Sequence, residues 1–268
     1  MVLENRFNKL IEARHGTILY NKNDIYIGKS IEKYGEFSYL EAKIFEQICK
    51  AGDVVIEVGA NIGAHTLYLS KLVGNGYVFA FEPQRLVFQN LCANLALNSI
   101  SNVFAYQEAV SNENGTIIIP ECNFKENNNF GGINIENTKN GTTVNRQKLD
   151  NFLNKIDRLK LLKIDVEGME ISVIKGASEL IKKFRPMIYV ENDRQEHSKE
   201  LIELLWSLDY KMYWHLPKLY NKSNFFCQEE NIFGNIVSVN MFCIHKDLDI
   251  KVIDMVEVLD SSFHPMKR

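Results

Sequence analysis

Long hydrophobic runs are missing from this chain. No stretch approaches the roughly 18–20 apolar residues that a membrane-crossing helix requires. Residues 1–14 carry Glu4, Arg6, Lys9, Glu12 and Arg14, so the apolar core of a secretory signal is lacking there. Cysteine is scarce and scattered. The five residues Cys49, Cys92, Cys122, Cys227 and Cys243 form no C-x-x-C pair. A zinc site or disulfide framework is therefore not expected, and reduced thiols in a cytoplasmic protein are. A dominant charge is also lacking: 31 Lys and Arg against 34 Asp and Glu leave a net charge of -3. That balance gives no electrostatic case for a nucleic-acid partner. No internal repeat is visible. What the chain does have is 268 residues, 46% of them hydrophobic and 24% charged, enough for one large α/β domain or two small ones.

Residues 1–50 read as a helical cap or lead-in: a short helix, a strand-like stretch near 24–27, then a helix over 39–50. In the last, Leu40, Ile44, Phe45 and Ile48 share one face. Strands then alternate with helices over 51–246. Strands are expected at 53–58, 77–81, 103–106, 159–166 and 187–191, with helices at 64–72, 86–97, 169–183 and 198–208. Residues 116–119 are strand-like, the pattern is lost over 121–145, and 210–214 and 236–244 look like closing strands. Residues 247–268 read as a tail. Repeated strand–helix units predict a doubly wound, mostly parallel sheet with right-handed crossovers.

The most informative stretch is Val54-Val55-Ile56-Glu57-Val58-Gly59-Ala60-Asn61-Ile62-Gly63-Ala64-His65-Thr66. An apolar β-branched run ends in an acid, a glycine-bearing turn follows, and a helix starts. Such a turn presents backbone amides to a nucleotide-like ligand. A dinucleotide fingerprint needs G-x-G-x-x-G or a final alanine. Counted from Gly59, Ala64 is tolerable at the last position, but Asn61 stands where the second glycine belongs. Asn still takes positive φ more readily than most residues. The loop bends sharply, yet lacks the residue that lets a pyrophosphate approach.

Glu82-Pro83 closes the second strand about 20 residues later, where an acid can accept hydrogen bonds from both ribose hydroxyls. A nicotinamide cofactor would use the same acid, so Glu82 alone does not choose between ligands. Gln107-Glu108-Ala109-Val110 follows the third strand and would face an adenine, with Glu108 as acceptor of its amine and Ala109 leaving room for the ring. A plain surface turn is the competing reading. Lys163-Ile164-Asp165-Val166-Glu167-Gly168-Met169-Glu170 closes the fourth strand with two acids aimed at the crevice where open α/β sheets bind ligands. Like charges so close need a cation between them. The competing reading is that Asp165 and Glu167 cap the following helix.

With these motifs together, the chain resembles the FkbM family of S-adenosylmethionine-dependent methyltransferases. The resemblance rests on Gly52 to Gly63, Phe81-Glu82-Pro83, Ala109-Val110-Ser111 and Leu162 to Glu170 with Leu180 beyond. Tyr34-Gly35-Glu36 and Glu41 match the lead-in. One departure is Glu57, where the family often has Asp. The resemblance implies a class I methyltransferase fold: a Rossmann-like, doubly wound sheet of seven strands, mostly parallel, with an antiparallel C-terminal strand. It implies S-adenosylmethionine as methyl donor. The cofactor-binding residues expected are Tyr34, Glu36, Glu57, Gly59, Ala60, Asn61, Gly63, Thr66, Glu82, Pro83, Glu108, Ala109 and Asp165.

The expected reaction is in-line transfer to an acceptor oxygen, for which alignment is worth roughly 7–11 kcal/mol. Many relatives methylate hydroxyls of sugars or other small molecules, so a small-molecule or glycan acceptor is expected. The catalytic residues expected are Asp165, Glu167 and Glu191, with Asp193 and His215 as further candidates for the base. No metal ligand is assigned, and a divalent ion on Asp165 and the Glu191-Asn192-Asp193 cluster is the alternative route to deprotonation. The acceptor side is expected to use residues 127–134 and the C-terminal portion, where Tyr213-Trp214-His215 and Asn224-Phe225-Phe226 could stack on a sugar. Core packing is the competing use of those rings. His65 is expected at the helix start near the ligand rather than as a base. Competing readings are methylation of nitrogen, a nucleotide-dependent oxidoreductase, and a non-catalytic domain that binds S-adenosylmethionine.

Overall fold

A computed structural model describes residues 3–133 and 140–266. The chain opens with an antiparallel sheet of β1 (Leu3–Glu4), β2 (Asn8–Ala13) and β3 (Gly16–Asn21), followed by α1 (Ile27–Tyr34) and α2 (Tyr39–Ile48). The alternation then runs β4 (Val54–Val58), α3 (Ala64–Val73), β5 (Tyr77–Phe81), α4 (Arg85–Leu97) and β6 (Val103–Tyr106). Three short strands come next: β7 (Ala109–Val110), β8 (Gly115–Ile119) and β9 (Thr142–Gln147). The second half is β10 (Leu161–Ile164), α5 (Glu170–Lys175), α6 (Ser178–Phe184), β11 (Met187–Glu191), α7 (Gln195–Ser207), β12 (Tyr210–His215), β13 (Asn240–His245) and β14 (Val256–Glu257).

The central sheet has the order β14-β12-β13-β11-β10-β4-β5-β6. Strands β6, β5, β4, β10 and β11 pair in parallel, and β13 inserts antiparallel between β11 and β12. This is the class I methyltransferase arrangement. It carries eight strands rather than the seven expected, because Val256–Glu257 adds an edge to β12. The segment expected as a tail thus contributes to the sheet, and Val258 is buried in the core.

Strands β4 and β10 are buried along their whole length, as a parallel sheet covered on both faces requires. Ile56, Leu162 and Ile188 face one way, onto Val173, Leu180 and Leu205 of α5, α6 and α7. Val55, Leu161 and Tyr189 face the other, onto Phe45 and Leu69 of α2 and α3. Period-2 alternation fixes which side each strand residue takes. It puts Glu57 and Lys163 on the α2–α3 face, directly opposite each other in the β4–β10 register.

Four further expectations are corrected. The N-terminal helix is a hairpin closed by the two-residue turn Arg14-His15, with Ala13 opposite Gly16. Tight hairpins usually announce themselves by Asn-Gly or Asp-Gly, and this one does not. The strand-like stretch near 24–27 starts α1 instead, because the Asp24 carboxylate accepts from the Tyr26 and Ile27 amides at 2.9 and 3.0 Å. The single helix over 169–183 breaks at Gly176, where a Cβ would lie 2.0 Å from the Ser111 carbonyl oxygen. The patternless region also ends sooner than expected, since Thr142–Gln147 pairs antiparallel with β8 and parallel with β7.

Candidate active site

The sheet order reverses between β4 and β10, and at that switch point a cleft of about 270 Å³ opens at the carboxyl ends of the strands. One wall is the turn after β4. Gly59 has φ +82° and Asn61 φ +51°, the left-handed conformation expected of it. A Cβ on Gly59 would lie 1.7 Å from the Asp165 carbonyl oxygen, so the two strand ends meet backbone to backbone. The Gly59 and Ala60 amides both donate to the Phe81 carbonyl at 3.0 and 2.9 Å.

Glu82 is 3% exposed and closes this wall. Its Oε2 accepts from the Asn61 amide at 3.0 Å and its Oε1 from the Gln84 amide at 2.8 Å. Burial raises its pKa to about 7 against the pull of those amides. Glu57 is 1% exposed. It accepts from the Thr66 hydroxyl at 2.6 Å, and its other oxygen stands 3.8 Å from the Lys163 ammonium. Burial raises its pKa as well, opposed by Lys163.

Lys163 is the cation that the crowded acids need. Its side chain is 2% exposed, its ammonium lies 3.1 Å from Asp165 Oδ2, and burial is outweighed by Asp165, Glu57 and Glu41, so its pKa is raised. Glu41, fixed by the Ser38 hydroxyl at 2.6 Å, is pushed up to about 7 by burial. His65 lies in the same pocket wall, its pKa lowered to about 3 by burial, so it is neutral. Lys163 stood in the quoted motif without a role. A lysine inside an otherwise apolar strand, Leu-Leu-Lys-Ile, was the available signal.

The opposite wall is acidic. Asp165 and Glu167 follow β10, and Glu191 and Asp193 end and follow β11. Glu167 takes a left-handed φ of +53°, costly for a non-glycine residue and typical of functional positions. Its Oε2 accepts from Arg194 Nη2 at 2.6 Å. Arg194 Nε also stands 3.4 Å from Asp193 Oδ1. Burial raises Glu167, Glu191 and Asp193, and the neighbouring carboxylates add to the shift. No side chain caps α5: Glu170 Oε1 accepts from the Val166 and Gly168 amides of the preceding turn, at 3.3 and 3.1 Å, and so fixes that turn. Asp165 and Glu167 are left facing the cleft.

Of the expected cofactor residues, Glu57, Gly59, Ala60, Asn61, Glu82, Pro83 and Asp165 line the cleft. Gly63 and Thr66 stand behind it, the first packed on Leu91 and the second bonded to Glu57. Four others lie away from it. The Tyr34 hydroxyl donates to the Glu230 carbonyl and accepts from the Ile232 amide. Glu36 binds Arg14 Nε at 2.5 Å, the Asn221 amide group at 2.9 Å and the Phe225 backbone amide at 3.0 Å. Glu108 accepts from the Gln147 side chain, and Ala109 is buried in β7.

The expected aromatic wall does not form at the cleft. Trp214 packs edge-on against Phe263 and His264, and the His215 ring bonds the Tyr189 hydroxyl at 2.7 Å, outside the cleft. Phe225 and Phe226 sit over Gly35. Asn129, Gly131 and Ile133 do reach the cleft, while Asn134 lies outside the described residues. From the C-terminal portion Leu219 and residues 236–240 line it, which the sequence did not single out.

The family model described as "Methyltransferase FkbM domain" matches residues 57–212, more than half of the chain. "Methyltransferase sdnD" from Sordaria araneosa is 27% identical over 181 residues, covering 54% of this chain and 70% of its own. "Hexuronic acid methyltransferase AglP" from Haloferax volcanii is 26% identical over 155 residues, covering 57% of this chain and 61% of its own. Among solved structures, methyltransferase FkbM from Methylobacillus flagellatus KT aligns with 17% identity and a TM-score of 0.45, over 76% of this chain and 50% of that one. Among the described residues no helix is long and apolar enough to cross a membrane.

Proposed function

The chain belongs to the FkbM methyltransferase family, and from that premise we propose that it methylates a hydroxyl of a sugar, a glycan or another small molecule. The observation that carries this reading is the placement of Asp165, Glu167 and Glu191 across one cleft from the glycine turn and Glu82. S-adenosylmethionine supplies a sulfonium methyl, an electrophile whose electron pair stays on sulfur when the methyl leaves.

The residues present fit that donor. Each Glu82 oxygen accepts one backbone amide, which leaves carboxylate lone pairs for two ribose hydroxyls. Gly59, Ala60 and Asn61 offer a close backbone surface, with Pro83 beside them. The Glu57 oxygens already face Thr66 and Lys163. Asp165 meets Lys163 through Oδ2, but its side chain is 39% exposed, against 1% for Glu57, so it can also face a positively charged ligand. Thr66 and Gly63 act from behind by fixing Glu57 and the turn. Asp165, Glu167 and Glu191 are the groups in reach of an acceptor hydroxyl, to orient it and take its proton as the O–C bond forms. A relative named for hexuronic acid supports a sugar acceptor.

The test is transfer of labelled methyl from S-adenosylmethionine to a panel of uronic acids, neutral glycans and hydroxylated small molecules. Asp165→Asn is expected to cut turnover at least about tenfold more than it weakens donor binding. Transfer to amines alone, or a donor-binding loss larger than the turnover loss, would sink the assignment.

A further inference from the structure

We propose that Glu167, Glu191 and Asp193 hold a hard divalent cation on the acceptor side of the cleft. One carboxylate oxygen from each lies within 4.8 Å of the others. Oxygens on opposite sides of one calcium-sized ion, each at about 2.4 Å, stand about 4.8 Å apart, and magnesium draws them to about 4.2 Å. The ligand set is all oxygen, without His or Cys, which suits Mg²⁺, Mn²⁺ or Ca²⁺ rather than zinc.

A second observation comes from a different strand. Asn240 is 4% exposed and lines the cleft, yet its Nδ2 makes no hydrogen bond of full geometry and has only a weak contact with the Tyr189 hydroxyl. In the β11–β13 register it lies directly opposite Glu191, so the two side chains share one face with Cβ atoms about 5 Å apart. Glu191 Oε2 is itself shut off from solvent and accepts no hydrogen bond. A poorly paired buried donor beside an unpaired buried carboxylate oxygen calls for a ligand that brings both charge and oxygen. A hydrated cation does this: the ion meets Glu191, and an oxygen in its shell accepts from Asn240.

The cations already present leave this place open. Arg194 engages Glu167 and stands beside Asp193, and Lys163 engages Asp165. Neither pairs with Glu191. Asn192 turns away, donating to the Ser198 hydroxyl at 3.0 Å. The site therefore uses Glu167, where the sequence suggested Asp165 and Asn192. Its purpose rests on the methyl-transfer reading: an acceptor hydroxyl that replaces a water on the ion loses its proton more readily, to Asp165, which is outside the ligand set, while Glu167 and Glu191 orient the hydroxyl through the ion. That oxygen then forms the O–CH3 bond as the S–CH3 bond breaks. Ion binding itself does not depend on the reading.

The experiment is calorimetric titration of the chelator-stripped full chain with CaCl2, MnCl2 and MgCl2, and separately with S-adenosylhomocysteine. One ion per chain is expected, with Kd between about 10⁻⁵ and 10⁻³ M. Glu191→Gln is expected to weaken it at least about tenfold, and Asn240→Ala a few-fold. If Glu191→Gln does not fold, Asp193→Asn at the rim carries the same tenfold expectation. No saturable binding up to about 1 mM, or equal affinity in the carboxylate variant, overturns the proposal. A chain that binds the ion but not S-adenosylhomocysteine overturns the donor assignment alone, and the reverse result overturns the ion alone.

Discussion

The two walls of the cleft are built in opposite ways. The proposed donor wall is made of residues 57–66 and 82–84, which bond to one another: Glu82 to the Asn61 and Gln84 amides, Glu57 to Thr66, and the Gly59 and Ala60 amides to the end of β5. The proposed acceptor wall gathers residues 129–133, 165–167, 191–193 and 219–240, and keeps buried atoms without full hydrogen bonds on Glu191 and Asn240. A satisfied wall is shaped before its ligand arrives. An unsatisfied one gains its missing partners only when ligand or ion is present. A binding mode shared across a family fits the first, and a variable acceptor fits the second.

The sharpest way to break the contrast is Gly59→Ala. A methyl 1.7 Å from the Asp165 carbonyl cannot be relieved by a side-chain rotation, and φ is +82° there. We expect loss of donor binding together with a large drop in folded yield, read by calorimetry and thermal melting. An Ala variant that binds the donor normally would mean the donor wall is not preformed.

Next comes the cation that joins the walls. Lys163→Met leaves Glu57 and Asp165 without their ammonium, and stripping one partner from a buried ion pair costs about 3–5 kcal/mol. Denaturant unfolding measures it. Adding Glu57→Gln should restore part of the loss, since the two positions are coupled. A loss below about 1 kcal/mol, the range of exposed pairs, would remove Lys163 from this role.

Glu82 gives a smaller effect with a defined sign. The folded protein holds its proton up to about pH 7, whereas an unfolded carboxyl releases it near its ordinary value of about 4.3. Ionising Glu82 therefore costs stability as pH rises across that window. Ribose hydroxyls that donate to the carboxylate favour its ionised form. Donor affinity should then rise from about pH 5.5 to about pH 7 and level off above, by up to about tenfold. Isothermal titration across pH, repeated with Glu82→Gln to flatten the curve, checks it.

The smallest expected effect lies outside both walls. Tyr34→Phe removes one hydroxyl that serves the Glu230 carbonyl and the Ile232 amide, at a cost of about 1–2 kcal/mol. Donor affinity should stay the same, because Tyr34 lies away from the cleft. A selective loss of donor affinity would place this tyrosine in the site after all.

The same contrast explains what could be read ahead of the structure. The donor wall was legible because its residues are close in sequence and their types are dictated by local geometry: a left-handed turn at Gly59 and Asn61, an acid at a strand end. The strands at 77–81 and 187–191 were legible to the residue for a related reason, since largely buried parallel strands carry unbroken apolar runs, and the partly exposed edge strand at 103–106 is apolar as well. Asn240 and residues 236–239 were not legible. Their place beside Glu191 follows from an antiparallel strand inserted between two parallel ones, a pairing no local pattern encodes. Tyr34 and Glu36, matched by motif, and Glu108, read from its place after the third strand, make their contacts with segments 22–198 residues away in the chain.

Sequence by itself determined the class of sheet, the glycine turn, the acid that closes β5 and the acids that close β10, because each depends on neighbours a few residues apart. Only the tertiary structure decided that Lys163 neutralises the acids, that Glu170 rather than Asp165 or Glu167 ties down the turn before α5, and that Glu191 meets Asn240. Those outcomes depend on strand register, and register is set by packing across the whole sheet.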